Sequence, residues 1–210
     1  PNITDTNNIS ISAPYWCSFG LPSEYALDQQ ADDAAWLSHT SEPLAENLAL
    51  LGFPEVTLTL TSDQPNAILA LRLCDVAPDG SSLLLSWGLL NLCHHNGHDD
   101  PQPLTPGEPL TVTAKLNVVG VTIPQGHRWR LAISPSYWPH AWPSAQSVTL
   151  TVEAGEVALP LLPEDVREIR PFLGGAPRRT HHQTSKRREK NAKKTKHKPQ
   201  PKNNQKKKKK

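Results

Sequence analysis

The chain has 210 residues and a formal net charge of +2, with 21 prolines, six tryptophans and no methionine. No stretch approaches the ~18 consecutive apolar residues that a membrane-spanning helix requires, and no charged-then-apolar signal peptide opens the chain. Because the chain starts at Pro1 and lacks methionine, we expect it to be a fragment of a longer protein.

The small net charge hides a strong asymmetry. Sixteen of the 22 Lys and Arg residues lie in residues 178–210, where only Glu189 opposes them, so that segment has a net charge of +15 and the rest of the chain −13. The basic segment has no apolar periodicity, and we assign residues 173–210 to a disordered Lys/Arg-rich tail. Its charge predicts non-specific contact with polyanions. Translated poly-A would also produce such a lysine run, and the origin of the tail stays open.

The first third of the chain has the weakest patterns. Residues 1–27 are predicted to be irregular, since an Asn/Thr/Ser run is followed by aromatic residues without periodicity. The acidic stretch 28–33 leads into a short strand predicted at 34–40. The segment 43–51 is ambiguous, because its leucines fit helical spacing while Leu48 and Leu50 also fit a strand.

Clearer strand patterns follow. In residues 55–61, Val and Leu alternate with Thr, which is the period of a strand with one buried face. The apolar runs 67–75 and 82–92 flank the turn residues Pro78, Asp79 and Gly80, which predicts a β-hairpin. Further strands are predicted at residues 111–118, 128–134, 148–152 and 157–161. Seven or eight short strands without a long helix predict an all-β fold, an antiparallel sandwich or jelly roll.

The three cysteines, Cys17, Cys74 and Cys93, are odd in number and irregularly spaced. This pattern argues against a disulfide framework and favours a reducing compartment. Together with the missing signal peptide, it predicts a cytoplasmic location.

Residues with catalytic or metal-binding chemistry do not form a recognisable site. The histidines and aspartates of residues 94–100 could bind zinc, but they lie in a Gly/Pro loop without a second ligand group, so we predict no metal. The Gly-x-Ser-x-Gly motif of α/β-hydrolases does not occur. We therefore predict no catalytic residue and no cofactor.

Aromatic residues and arginines carry the remaining candidate roles. Residues 137–142 concentrate aromatic side chains in one loop, which is either a contact surface or plain packing at the end of the sandwich. Arg128 and Arg130 share one face of a predicted strand, and we propose Asp75 and Asp79 as their ion-pair partners. Arg128→Ala is expected to lower stability more than an ordinary surface substitution does.

Several stretches together resemble the C-terminal, non-catalytic domain of the X-Pro dipeptidyl-peptidase and cocaine esterase family of serine hydrolases. They are Asp28-Gln29-Gln30-Ala31-Asp32-Asp33, Arg72-Leu73-Cys74-Asp75-Val76-Ala77-Pro78-Asp79-Gly80, Gly88-Leu89-Leu90-Asn91-Leu92 and the stretch from Gly126 to Pro139. The resemblance implies a jelly-roll, galactose-binding-like sandwich over residues 28–172.

The resemblance also implies a partner. In this family an α/β-hydrolase domain precedes the sandwich and carries the whole Ser-Asp-His triad, so this chain is expected to be an accessory domain that is inactive alone. Docking onto that domain is assigned to Trp16, Tyr137, Trp138 and Trp142. The alternative is a free-standing jelly-roll module that binds carbohydrate or protein.

Overall fold

Alternating polar and apolar residues dictate short antiparallel strands, and the computed structural model contains ten of them. It describes residues 1–4, 11–21 and 24–163. The strands are β1 (Asn2–Thr4), β2 (Leu37–Thr40), β3 (Leu48–Gly52), β4 (Glu55–Ser62), β5 (Ile68–Val76), β6 (Ser82–Asn91), β7 (Leu110–Lys115), β8 (Val119–Ile123), β9 (Arg128–Ser134) and β10 (Thr149–Ala158). One short helix, α1, spans Gln30–Ala35, and a 3-10 turn spans Leu92–His94.

The strands form two four-stranded antiparallel sheets. Sheet A has the order β1-β10-β4-β7, and sheet B has the order β2-β9-β5-β6. Strands β3 and β8 pair separately. The predicted hairpin is confirmed, since β5 and β6 pair from Ile68↔Asn91 to Val76↔Ser82 around the Asp79-Gly80 turn.

The main core lies between the two sheets. Apolar residues at every second position of β4, β5, β9 and β10 meet there, and it includes Leu58, Leu71, Leu131 and Leu150. Burial of these side chains is the dominant stabilising force in such a sandwich. The predicted all-β sandwich is confirmed.

Sheet B is buried on its outer face as well. Its central strand β5 is buried from Leu69 to Val76. A second cluster made of Trp36, Ala70, Ala132 and Tyr137 covers the face that points away from the main core. The sequence of a strand that is covered on both faces is a continuous apolar run and does not alternate between polar and apolar residues. The outer face of sheet B is therefore an interior surface, and the candidate site lies there.

Some local elements differ from the sequence prediction. The strand expected at 34–40 is shorter, because α1 extends to Ala35 and only Leu37–Thr40 pairs with β9. The ambiguous segment 43–51 contributes β3, and Val119–Ile123 adds an unpredicted strand. Residues Asn2–Thr4, assigned to an irregular segment, pair with β10. These short strands are fixed by pairing across the chain, which local pattern does not reveal.

The chain divides into two units, Pro1–Val166 and Arg167–Lys210. The described residues belong to the first unit, and the predicted disordered tail lies outside them. Within the described part, no helix has the length and apolar character needed to cross a bilayer.

Candidate docking site

A buried arginine organises the outer face of sheet B. Arg72 lies at the centre of β5, and its exposed fraction is 0%. Its Nη2 donates to Asp33 Oδ1 at 2.9 Å, and its Nη1 donates to Gln29 Oε1. Asp32 Oδ2 lies 3.6 Å from Nη1. A guanidinium can be buried at acceptable cost only with such partners, so Arg72 holds α1 and the residue before it against the sheet.

Asp33 joins four elements through one carboxylate. Besides Arg72, it accepts hydrogen bonds at Oδ2 from Ser82 Oγ at 2.7 Å and from Arg130 Nη1 at 2.9 Å. These donors lie on β6 and β9, while Asp33 itself lies on α1. Two arginines and one hydroxyl therefore balance a single buried charge. The position of α1 over sheet B is set by this carboxylate.

Aromatic rings pack around the buried arginine. Its Cζ atom lies 3.9 Å from the centroid of the Trp36 ring, a cation–π contact. Trp36 and Tyr137 meet edge to face with centroids 5.5 Å apart, and Tyr137 stacks on His140 at 4.9 Å. Trp87 closes the group at 4.5 Å from His140. Tyr137 and His140 thus hold the loop that follows β9 against the outer face of sheet B.

Burial shifts the protonation of groups in this layer. The pKa of Asp32 is raised mainly by burial, against the opposing effects of the Ser12 N–H and Arg72. Burial raises the pKa of the Cys74 thiol to about 12, and it also raises the pKa of Tyr137. Burial lowers the pKa of His140. The Cys74 thiol and the Tyr137 phenol therefore keep their protons at neutral pH, which makes both groups poor nucleophiles.

The outside of this layer exposes large aromatic side chains. Trp16 is 73% exposed, Phe19 87% and Trp142 78%. Trp138 meets Trp142 edge to face with centroids 5.3 Å apart. We call Trp16, Phe19, Trp138 and Trp142 the aromatic surface. Exposed apolar groups of this size on neighbouring segments are typical of an interaction site.

Hydrogen bonds connect the two segments of the aromatic surface. His140 Nε2 donates to the carbonyl oxygen of Pro14 at 3.0 Å, which links the loop after β9 to the N-terminal segment. Glu24 Oε2 accepts from the N–H groups of Phe19 at 2.6 Å and Leu21 at 3.0 Å. The backbone that carries Trp16 and Phe19 is therefore held in place by specific acceptors.

The predicted docking residues do not all lie on this surface. Trp16 and Trp142 are exposed as a docking residue must be, and Trp138 is partly exposed. Tyr137 is 0% exposed, because it points down between Trp36 and Trp87. Its assignment to direct docking is corrected: Tyr137 supports the loop from beneath.

The arginines and aspartates that were predicted to pair with each other have other partners in the structure. Arg130 pairs with Asp33, and Arg128 donates to the Ser41 carbonyl at 2.7 Å and lies 3.7 Å from Glu42. Asp75 instead accepts from His127 Nδ1 at 2.8 Å. Asp79 accepts from the N–H and hydroxyl of Ser81, which lowers its pKa. Asp75 therefore pairs with His127, just before β9, and Asp79 with Ser81 in the hairpin turn. Neither aspartate pairs with Arg128 or Arg130.

Sequence reasoning missed Arg72 and Asp33 as the centre of the layer. A signal was present, since Arg72 is the one basic residue in the mostly apolar strand β5, and the adjacent acidic residues Asp32 and Asp33 lie shortly before β2. A charged residue inside a two-sided buried strand demands a partner. The identity of that partner depends on how α1 folds back, which no local pattern specifies.

The loop after β6 places two histidines together. The Nδ1 atoms of His94 and His98 lie 3.0 Å apart. Within the described residues, no group of three or more His, Cys, Asp or Glu side chains could hold a metal ion. A hydrogen bond between the two ring nitrogens, whose donor is set by the tautomers, accounts for the contact.

Known proteins with a similar sequence or fold are longer than this chain. A Mycobacterium bovis protein named "Putative serine esterase" is 28% identical over 158 residues, covering 64% of this chain and 25% of that protein. An alpha-amino acid ester hydrolase superposes with a TM-score of 0.63 at 20% identity, over 77% of this chain and 32% of that one. An aminopeptidase from a marine sediment Thaumarchaeota archaeon gives 0.63 at 19% identity, over 78% and 33%.

A third solved structure agrees with these two. A CocE/NonD family hydrolase from Staphylococcus aureus superposes with a TM-score of 0.55 at 14% identity, over 64% of this chain and 32% of that one. At such identities the structural matches show a common fold. The chain spans about a quarter to a third of the length of the relatives that it matches.

The family match covers the sandwich and extends beyond it. The family described as the X-Pro dipeptidyl-peptidase C-terminal non-catalytic domain matches residues 4–199. The chain belongs to the family of X-Pro dipeptidyl-peptidase C-terminal non-catalytic domains.

Proposed function

We propose that this chain is the accessory domain of a serine hydrolase and that its aromatic surface docks against an α/β-hydrolase catalytic domain. The observation that carries the proposal is the exposure of Trp16, Phe19 and Trp142 on segments whose backbone is fixed by hydrogen bonds to the layer beneath. Aromatic side chains are enriched at protein interfaces, where they bury a large area with few rotatable bonds.

The buried network beneath supports this role. Arg72 and Asp33 fix α1, and the Trp36–Tyr137–His140 packing fixes the loop that carries Trp138 and Trp142. A surface held in one conformation loses little conformational entropy when it binds. The layer therefore supplies a docking face that is preorganised in its binding conformation.

Relatives support the hydrolase assignment. The Mycobacterium bovis relative is named as a serine esterase, and the solved structures are named as hydrolases and an aminopeptidase. In each case this chain corresponds to a minor part of the longer protein. Any assignment of a substrate or an activity to the complete protein is therefore part of this proposal.

The test separates docking from catalysis. The coding sequence that adjoins this chain's is searched for Gly-x-Ser-x-Gly, and the hydrolase domain that it encodes is produced separately and mixed with the chain. We expect no nitrophenyl-ester hydrolysis by the chain alone and a stable complex with the hydrolase domain. A Trp16→Ala/Trp142→Ala variant should bind at least about tenfold more weakly, as expected for interface aromatics.

The control removes exposed apolar side chains elsewhere. Leu83 and Leu161 are exposed and lie outside the aromatic surface, so Leu83→Ala/Leu161→Ala should leave binding unchanged. Ester hydrolysis by the chain alone would contradict the accessory role. Equal loss in both double variants would contradict the location of the docking face, and glycan binding lost in Trp142→Ala would favour the carbohydrate-binding alternative.

Three finer points belong to the same proposal. The bounds expected from sequence, residues 28–172 for the sandwich domain, 1–27 for a leading segment and 173–210 for a basic tail, are kept except that β1 of the leading segment belongs to sheet A. The tail's net charge of +15 over residues 178–210 supports weak, salt-dependent contact with polyanions. A cytoplasmic location is supported by three free cysteines, Cys17, Cys74 and Cys93.

A further inference from the structure

A pocket lined by two arginines lies at one end of the outer face of sheet B. It has a volume of about 320 Å³ and is bounded by Thr40 at the end of β2, by the turn between β5 and β6, and by Gly126 before β9. Arg128 and Arg130 are two positions apart on β9, so their side chains lie on the same face of the sheet, and both line the pocket. The pocket therefore brings two permanent positive charges together.

Each guanidinium group is fixed through some of its nitrogens and leaves others unpaired. Arg130 donates from Nε to Thr40 Oγ1 at 2.8 Å and from Nη1 to Asp33 Oδ2 at 2.9 Å. Arg128 donates from Nη1 to the Ser41 carbonyl at 2.7 Å. Within the described part of the chain, the Nη2 atom of neither arginine has a hydrogen-bond acceptor. A guanidinium held in this way still offers N–H donors in a fixed planar geometry.

The positive charge of the pocket is only partly balanced by the protein. None of the described residues that line the pocket is acidic. Asp33 beneath it is shared between Arg130 and Arg72. Glu42 lies 3.7 Å from Arg128 Nη1, and its side chain is 96% exposed. An exposed carboxylate at this distance contributes little, so the pocket retains the capacity to bind an anion.

The opposite wall of the pocket is small and mostly apolar. It consists of Val76, Ala77, Pro78 and Gly80 from the β5–β6 hairpin. Gly80 N donates to the Ala77 carbonyl at 2.9 Å, and Gln30 Nε2 donates to the Gly80 carbonyl at 3.2 Å. These bonds fix the hairpin turn against the start of α1. The wall suits a short aliphatic chain next to the charged group.

From these observations we infer that the pocket of Arg128 and Arg130 binds a single carboxylate carried on a short aliphatic chain. The unpaired N–H groups of the two arginines donate to the carboxylate oxygens, and the hairpin wall receives the chain. Hydrogen bonds between guanidinium and carboxylate are strong because both groups are charged. The protein outside residues 178–210 has a net charge of −13, which repels polyanions and favours a ligand with one negative charge.

A carboxylate of this kind has two sources. One is a free short-chain carboxylic acid, and the other is an Asp or Glu side chain of the hydrolase domain. Only the second source rests on the proposed docking function. The pocket includes no residue of the aromatic surface, so the failure of one proposal leaves the other standing.

The probe is sodium butyrate, titrated at constant ionic strength into the full ¹⁵N-labelled chain. We expect shifts of the backbone amides of Ala77, Gly80 and Gly126 and of the Nε–H groups of Arg128 and Arg130, with a Kd on the order of 1–10 mM. Butyramide has the same shape without the charge and should not cause these shifts. Equal shifts with butyramide, or no shift at about 100 mM butyrate, would overturn the inference.

The contribution of the arginines is tested with matched variants. Arg128 is 39% exposed and makes no contact with Asp33, so Arg128→Gln should remain folded. It should weaken butyrate binding by about fivefold, the upper value for a partly exposed ion pair. Lys115 pairs with the exposed Glu55 and lies outside the pocket, so Lys115→Gln should leave the affinity unchanged. Equal affinity in the two variants would contradict a role for Arg128.

The two sources are separated with the hydrolase domain from the docking experiment. A carboxylate side chain of that domain predicts that Arg128→Gln weakens the complex and that butyrate competes with its formation. A free acid predicts an unchanged complex that still binds butyrate, and either result supports the carboxylate site. Failure to form a complex would count against the docking function, while the butyrate titration would still test the pocket.

Discussion

Arg72 Nη2 donates to Asp33 Oδ1 across 2.9 Å, and both side chains are almost completely buried. The contact joins the centre of β5 to α1, residues 39 positions apart in the chain. Isolated charges are costly in an apolar interior, and this ion pair lowers the cost of burying both groups. The layer that supports the aromatic surface depends on this contact.

Removal of Arg72 should be strongly destabilising. Arg72→Ala leaves Asp33 with one arginine and deletes a side chain beneath Trp36, and we expect a loss of about 3–5 kcal/mol in the free energy of unfolding. Arg72→Lys should recover little, because an ammonium cannot reach Gln29 and Asp33 with the same planar geometry. Urea unfolding measures both variants. A loss below about 1 kcal/mol in Arg72→Ala would contradict the central role of this residue.

The two arginines of β9 should differ in their effect on stability. Arg130 pairs with the buried Asp33 and its side chain is 20% exposed, so Arg130→Ala should cost about 1–3 kcal/mol. Arg128 is 39% exposed and faces the exposed Glu42, so Arg128→Ala should cost less than about 1 kcal/mol. This revises the expectation from sequence that Arg128 matters more than a surface residue. Equal unfolding midpoints for the two variants would contradict the difference.

Asp32 should make stability depend on pH in a defined direction. Burial raises its pKa, so the folded state binds this proton more tightly than the unfolded state does. The stability that it contributes is present below its unfolded pKa and is lost as pH rises through the raised value. Asp32→Asn should therefore gain stability relative to wild type as pH rises above the ordinary aspartate pKa of about 4, because the amide has no proton to lose.

A matched control for Asp32 is provided by Asp79. Hydrogen bonds from Ser81 lower its pKa, so its contribution is present above its unfolded pKa and lost as pH falls. Asp79→Asn should thus lose stability relative to wild type as pH rises toward the ordinary aspartate pKa of about 4, and the difference should stay constant at higher pH. Unfolding at several pH values measures both trends, and parallel trends in the two variants would refute the assignment.

Cys74 should be unreactive in the folded protein. Its thiol is buried with a pKa of about 12, whereas Cys17 is exposed. At about pH 8 iodoacetamide should label Cys17 and leave Cys74 unmodified, since the thiolate is the reactive form. Peptide mass spectrometry locates the label, and labelling in guanidinium shows that every cysteine can react. Comparable labelling rates for Cys74 and Cys17 in the native state would be inconsistent with the buried layer.

Tyr137 should contribute through its ring and not through its hydroxyl. Among described residues, its buried Oη has no hydrogen-bond partner, while the ring packs on Trp36, Trp87 and His140. Tyr137→Phe should leave the unfolding midpoint unchanged or slightly raised, whereas Tyr137→Ala should cost about 3–5 kcal/mol. Thermal unfolding measures both. A marked loss in Tyr137→Phe would reveal a partner for the hydroxyl, such as a buried water.

Sequence pattern predicted the sandwich because its signals are local. The Val/Leu and Thr alternation of β4 and the Pro78–Gly80 turn between β5 and β6 each specify structure within a few residues. Trp16 and Trp142, the predicted docking residues, are exposed in the structure, and their docking role stays a prediction. The family resemblance rests on motifs that are readable in one chain.

Partners that are distant along the chain were not predictable in the same way. Asp75 and Asp79 were equally plausible partners for Arg128 and Arg130 on sequence grounds, yet Arg130 pairs with Asp33, 97 positions away. Tyr137 and Trp138 are adjacent, and only packing against Trp36 decides that one is buried while the other is partly exposed. A loop has no regular side-chain periodicity, so the sequence does not show which of two adjacent residues is buried.

The sequence by itself determined an all-β chain with an acidic body, a basic tail and no hydrolase nucleophile motif, because composition, strand period and turn residues act locally. Only the tertiary structure decided that the outer face of sheet B is an interior surface. Helix α1 and the loop after β9 come to lie over β5, and Arg72 and Asp33 meet there. A buried charge selects its partner by proximity in space, and that proximity exists only once the sheet has formed.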